Sequence, residues 1–154
     1  MRIRLLKQKD IEEVVKLIIE SYKKEDKSRI WTENIAREYL RRIYKLNREV
    51  CFVAQEGEKI IGVALCRIRP EFNKIKVISD MLLVHPEYRK KKVATKLLNK
   101  LLTKAKNKFN VTEIETSIYT LLDFPIIWYE SIGFRKLKNI EILSTNIEKV
   151  TKLL

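Results

Sequence analysis

Three glycines, three prolines, two cysteines and one histidine are all that 154 residues contain of these types. So few breakers leave no linker, low-complexity tract or internal repeat, and the chain reads as one domain spanning residues 1–154. Cys51 and Cys66 lack CxxC spacing and are too few for a disulfide scaffold or a structural zinc site. They read as small buried hydrophobes, at home in a reducing compartment. A lone His85, before a proline at a strand end, excludes a histidine-bearing catalytic triad and reads as a surface residue. HExxH, GxSxG, Walker-type and GxGxxG patterns are missing, so neither metal nor dinucleotide chemistry is indicated. No apolar run reaches the ~18 residues that span a bilayer. The opening MRIRLLKQKD lacks the apolar block of a signal peptide. A cytoplasmic protein without a membrane partner is expected.

What is abundant is positive charge. Thirty-three Lys and Arg against 20 Asp and Glu leave a net +13, which attracts nucleic acid, anionic lipid or a phosphorylated cofactor alike.

Hydrophobic periodicity orders the rest. Ile3 and Leu5 alternate as a short strand. Asp10 offers an N-cap to a helix whose Ile11, Val14, Val15, Ile18, Ile19 and Tyr22 share a face. A second helix follows Thr32, with Ala36, Tyr39, Leu40 and Ile43 inward. Residues 50–55 and 60–68 read as strands joined by a glycine-bearing turn at 56–59. Residues 75–84 form a long strand ending at His85-Pro86. A helix runs from Lys92 to about Lys106, and 111–118 is a strand. A short helix spans Asp123 or Phe124 to Ser131, with Pro125 in its first turn and Gly133 ending it. Phe134–Leu137 restart a strand, and the tail holds at least one more. The pattern predicts an α/β domain with a mixed sheet flanked by helices.

The chemistry concentrates in Leu82-Leu83-Val84-His85-Pro86-Glu87-Tyr88-Arg89-Lys90-Lys91-Lys92-Val93-Ala94. A buried strand, a proline turn and a basic loop lead into a helix N-terminus, whose unpaired amides and positive dipole end suit a pyrophosphate-sized anion. This segment resembles the Gcn5-related N-acetyltransferases (GNAT), whose V-x-P-x-Y-R-G-x-G-h-G/A pattern is matched by Val84, Pro86, Tyr88, Arg89, Val93 and Ala94. The resemblance implies the acyl-CoA N-acyltransferase-like fold, a mixed, mostly antiparallel sheet of six to seven strands with about four helices. It also implies acetyl-CoA as cosubstrate and no metal. The diphosphate would lie on the loop Arg89, Lys90, Lys91, Lys92, Val93 and Ala94, and the pantetheine arm beside Leu82, Leu83 and Val84. Lysines replace both pattern glycines. The first replacement is unremarkable; the second needs no forbidden dihedral if Lys92 lies in the first helical turn, with its side chain turned away or contacting a phosphate.

Downstream, Trp128-Tyr129-Glu130-Ser131-Ile132-Gly133-Phe134 resembles the family's F-Y-E-x-x-G-F. There Tyr129 matches a frequent general acid, able to protonate the departing thiolate; core packing is the alternative. Leu122 and Pro125 stand where the family has Asn and Ala, removing one cofactor-side hydrogen bond. Asp80, four residues before Val84 and on the same face by period two, matches a position often acidic in the family. It would accept the amine's proton, or else serve as a salt-bridged, substrate-orienting carboxylate. The implied reaction is direct attack of a primary amine on the thioester in a ternary complex. The acceptor is a protein N-terminus, a lysine or a small-molecule amine, and the protein a monomer or homodimer. The competing reading is a catalytically reduced module of this fold that binds a polyanion such as nucleic acid, or coenzyme A as a ligand.

Overall fold

Alternation and amphipathicity become a layered α/β structure in the computed structural model, which describes residues 1–25, 31–118, 123–138, 140–145 and 147–151. The described elements are β1 Arg2–Leu5, α1 Ile11–Glu25, α2 Glu33–Asn47, β2 Phe52–Glu56, β3 Lys59–Glu71, β4 Lys74–Val84, α3 Val93–Phe109, β5 Glu113–Thr116, α4 Asp123–Ser131 and α5 Ile147–Thr151. The chain divides into two units, 1–117 and 118–154.

In the first unit the strands form one sheet in the order β1-β2-β3-β4-β5. Neighbours are antiparallel except β4 and β5, which are parallel because α3 carries the chain back between them. α1 and α2 cover one face: Val14, Val15, Ile18, Leu40 and Ile43 bury against Val53, Ile60, Val63, Leu65, Met81 and Leu83. α3 covers the other, its Val93, Leu97, Leu101 and Ala105 meeting Phe52, Ala54, Ile61, Ala64, Cys66 and Val77. Gly62 fixes how closely α3 approaches. A Cβ there would lie 3.1 Å from Leu83 O, Leu97 Cδ1 and Val93 Cγ1, so the start of α3 rests directly on bare backbone.

Helix boundaries agree with the sequence reading to within a few residues. The Thr32 side chain caps α2 by accepting the Ile35 amide. Asp10, read as a helix cap, spends its carboxylate on the Lys7 amide (2.8 Å) and the Arg4 guanidinium (2.6 and 3.0 Å).

Two expectations need correction. The described residues hold five strands, not six to seven. Phe134–Leu137 carry no strand, and the tail contributes a short helix instead. Ile140, Ile142, Leu143 and Ile147 are exposed. Alternating apolar residues specify which way side chains would face on a strand, but a strand also requires a neighbour to complete its ladder.

Candidate active site

The strand-to-helix junction after β4 is built by short hydrogen bonds. His85 N–H donates to Ile61 O at 2.9 Å, tying the end of β4 to β3. Pro86–Tyr88 then form a 3-10 turn in which His85 Nδ1 accepts the Glu87 amide at 3.3 Å. Tyr88 N–H returns to His85 O at 2.9 Å. His85 is therefore not a surface residue; it is only 6% exposed. Its Nε2 faces Lys59 Nζ at 3.4 Å and the Glu20 carboxylate at 3.6 Å, so one ring touches α1, β3 and the turn. Lys91 lies 4.8 Å over the Tyr88 ring, a cation–π contact that holds the next stretch of loop.

Lys90 and Lys92 both adopt left-handed backbone, with φ of 61° and 58°. This corrects the sequence reading twice. The first lysine is not an unremarkable replacement, and Lys92 lies before the first helical turn, at the N-cap position of α3. Each residue costs about 1–2 kcal/mol more in this conformation than a glycine would in steric terms. The loop thus keeps the backbone path that glycine favours without having glycine. Lys92 offers no side-chain cap, and the first intrahelical bond is Lys96 N–H to Lys92 O. The amides of Val93, Ala94 and Thr95 accordingly have no partner within the helix. Arg89 Nε reaches Val84 O at 3.4 Å, and burial lowers the pKa of its guanidinium. Helix amides, the dipole and four consecutive cations are the groups that could hold a diphosphate here.

Beside this seat, the β4–β5 ladder runs from Lys76–Glu113 to Ser79–Thr116 and stops there among the described residues. Leu82, Leu83 and Val84 keep their pairing with β3. On the β5 side their backbone has no strand partner among the described residues, which suits an extended, amide-bearing arm laid down as an added strand.

The register also shifts inside β4. Leu65 pairs with Met81 but Cys66 with Ser79, leaving Asp80 as the extra residue of a bulge. Val77 belongs to the α3 side of the sheet and Met81 to the α1–α2 side. Asp80 and Val84 are therefore not on one face. Val84 packs toward α3, whereas Asp80 lies on the α2 side, near Tyr39. There Arg67 Nε and Nη2 each reach one oxygen of Asp80 at 2.7 Å. Burial first, and the Asp80 charge second, push the Tyr39 phenol well above its ordinary pKa. Tyr39 packs at a tilt against Trp31, 5.3 Å between centroids, and Trp31 likewise against Tyr22 at 6.0 Å. Arg67 escaped the sequence reading, which put Tyr39 on the inward face of α2 without tying it to Asp80 and took His85 for a surface residue. Arg67 is brought to Asp80 by strand register, and the capping role of His85 by turn geometry, neither of which has a local signature.

Tyr129 belongs to the second unit. It is buried on α4, edge-on to Trp128 and Phe134 with centroids 4.9 Å away in both cases. Gly133, at φ 98°, lets Phe134 N–H return to Tyr129 O at 3.0 Å, so the aromatic trio is folded by the helix stop itself. Leu122 lies outside the described residues.

Comparison with known proteins adds to this geometry. A profile of the acetyltransferase (GNAT) family matches residues 12–134, a stretch that takes in both helices before the sheet, the loop and the Tyr129 motif. The chain belongs to the GNAT family. An N-alpha-acetyltransferase of Saccharolobus solfataricus is 31% identical over 96 residues, 56% of this chain and 57% of that protein. The chain thus matches little more than half the length of that curated relative. An aminoglycoside N-acetyltransferase solved with CoA superposes with a TM-score of 0.75 at 17% identity, covering 94% of this chain and 93% of the other. A ribosomal-protein-alanine N-acetyltransferase from Brucella melitensis gives 0.73 at 17%, covering 94% and 100%. At such identities the likeness is one of fold. For a GNAT chain the groups that would hold acetyl-CoA are present: free helix amides, basic side chains and an open strand edge. Among the described residues no cluster of potential metal ligands occurs, and no helix is long and apolar enough to cross a membrane.

Proposed function

We propose that this chain transfers the acetyl group of acetyl-CoA to a primary amine. The reading rests above all on the uncapped start of α3 behind Lys90 and Lys92, whose glycine-like backbone aims peptide amides at a diphosphate despite the missing glycines. The bound cosubstrate supplies an activated acyl carbon, and the rest is done by the chain. The loop fixes the diphosphate, and the free edge of Leu82–Val84 aligns the arm. The amine nitrogen attacks the thioester carbonyl carbon, the carbon–sulfur bond breaks, and Tyr129 donates a proton to the leaving thiolate. Asp80, held by Arg67, orients the incoming amine, and the amine's proton leaves to water.

Among acceptors we favour the α-amine of a peptide, on the likeness to an N-alpha-acetyltransferase. Lysine side chains and small-molecule amines are the competing substrates. Calorimetric titration with acetyl-CoA should show saturable binding, and ligand at about 100 times Kd should stabilise the fold by about 2.7 kcal/mol. A mass-spectrometric screen of peptides, lysine analogues and polyamines should then place the acetyl group on a peptide N-terminus. No heat and no saturation at millimolar ligand would remove the transferase reading.

A further inference from the structure

The positive charge is not spread evenly. Between Tyr88 and Thr112 the chain has nine Lys and Arg and no carboxylate, against +13 for all 154 residues. Four of the nine form the cofactor loop; the other five lie on α3. Lys92, Lys96, Lys100, Lys104 and Lys108 recur every fourth residue, about 6 Å apart along the helix axis. Lys96 and Lys100 are exposed and Lys104 half-buried. Of those on α3, Lys108 pairs with Glu49. Lys96, Lys100 and Lys104 have no ion-pair partner among the described residues.

The C-terminal half of this row borders a depression of about 620 Å³ between α3 and the edge strand β1, where Arg4, Lys100, Lys104 and Lys108 stand around Thr103, Asn107 and Leu5. It begins two helical turns beyond the loop, so a bound diphosphate does not account for it. None of the exposed large apolar side chains of the described residues lies on α3. A helix that sinks into a lipid surface, or anchors a protein partner, presents Trp, Phe or Leu on its outer face. A row of evenly spaced ammonium groups, only one of them (Lys108) in an ion pair among the described residues, with polar donors between them fits a polymer with a repeating negative charge.

We propose that the α3–β1 groove binds the phosphodiester backbone of a single nucleic-acid strand, as a docking surface additional to the acetyl-CoA seat. The proposal does not depend on the transferase reading.

The test is fluorescence anisotropy of a labelled oligouridine of about 16 nucleotides, with oligothymidine as a second arm, titrated with the intact protein from about 50 to about 200 mM salt. Contacts to three or four phosphates should give a log–log salt slope of about −2 to −3. Binding should persist in saturating coenzyme A. The Lys100→Gln/Lys104→Gln double variant should weaken binding about tenfold or more and roughly halve the slope, each lost contact carrying about 0.7 of it. It should leave acetyl-CoA binding unchanged. Arg41→Gln/Lys45→Gln, equal in charge but on α2 across the sheet, should stay within about twofold of the parent. Four results would overturn the proposal: no saturable binding at low salt, displacement by coenzyme A, equal losses in both double variants, or binding to phosphatidylserine vesicles but not to oligonucleotide. Because acetyl-CoA binding is read separately, failure here leaves the transferase assignment standing, and the reverse also holds.

Discussion

Arg67 holds Asp80 through two parallel hydrogen bonds of 2.7 Å, from Nε to Oδ2 and from Nη2 to Oδ1. Both partners come from adjacent strands, and the bulge at Asp80 turns the carboxylate toward Tyr39 rather than toward Val84. A carboxylate gripped in this fork is a fixed negative charge. That geometry suits holding an ammonium more than cycling a proton.

Asp80→Asn should therefore raise the acceptor KM about tenfold, the loss of one charge-assisted contact, and keep the acid limb of the pH–rate profile. Arg67→Gln should do the same through a freed, wandering Asp80. Stability should change by less than about 1 kcal/mol, because Arg67 is half exposed. Flattening of the acid limb in the Asp80 variant would instead make it the general base.

Lys90 and Lys92 allow a second test. Replacing either by glycine removes the left-handed penalty but adds backbone entropy to the unfolded chain, for a net gain of about 0.5–1 kcal/mol. Thermal denaturation should rise by roughly 2–4 °C per kcal/mol. Acetyl-CoA affinity should change by less than about tenfold, since the amides already follow the same path. A Lys92→Gly protein that binds tenfold tighter would mean that the lysine side chain obstructs the seat.

These two sites also mark how far the sequence could be read. Helices and strands with strong periodicity, α1, α2, α3 and the β2–β3 hairpin, fall where their apolar spacing puts them, because each buries a face that its own residues define. The loop after Val84 is recognisable because its proline, arginine and helix start are contiguous. What escaped depends on register. Period two placed Asp80 with Val84, and a single extra residue between Leu65 and Cys66 pairing moved it to the other face. Arg67 could not be chosen as its partner without that register. His85 resembled a surface histidine until the 3-10 turn folded its ring under Lys59 and Glu20.

His85 caps the turn that leads into the proposed cofactor loop, so its substitutions should separate by shape. Asparagine places an acceptor close to the position of Nδ1 and should keep both the turn and the acetyl-CoA KM. Alanine leaves the Glu87 amide without its acceptor and should cost about 1 kcal/mol in stability, with acetyl-CoA KM rising more than acceptor KM. Stopped urea titrations and initial rates at varied acetyl-CoA would measure both. Equal KM changes in the two variants would show that ring packing against Tyr88, not the cap, is what matters.

Gly62 makes a steric prediction. An added methyl would meet Leu83 O as well as Leu97 and Val93, each at 3.1 Å, and a backbone carbonyl in a paired strand cannot swing aside. Gly62→Ala should destabilise by about 1–3 kcal/mol, and because the displaced element is the start of α3, acetyl-CoA binding should weaken as well. Leu97→Ala tests the cause: by opening space on the helix side it should recover part of the binding lost in Gly62→Ala, although it lowers stability by itself. Absence of recovery would place the strain at Leu83 O alone.

The Arg4–Asp10 pair governs acid sensitivity. Asp10 is only 4% exposed. Burial alone would raise its pKa, but the Arg4 guanidinium and the Lys7 amide outweigh that and hold the carboxyl below its ordinary value. A carboxylate depressed in the folded state contributes stability that is fully present above its unfolded pKa of about 3.9, and that is lost as the pH falls through the lower folded value. Urea unfolding should therefore show a plateau at neutral pH and a decline below about pH 4 that is shallower in Asp10→Asn. Arg4→Met should cost about 3 kcal/mol or more at pH 7, since it strands a buried charge, and the deficit should shrink in acid as Asp10 takes up a proton. Arg4→Met combined with Asp10→Leu should restore most of the loss, because a buried ion pair exchanged for apolar side chains of similar volume is close to neutral. A deficit in Arg4→Met that stayed constant from neutral pH into acid would mean that Arg4 acts through its hydrogen bond to Gln55 and not through the charge of Asp10.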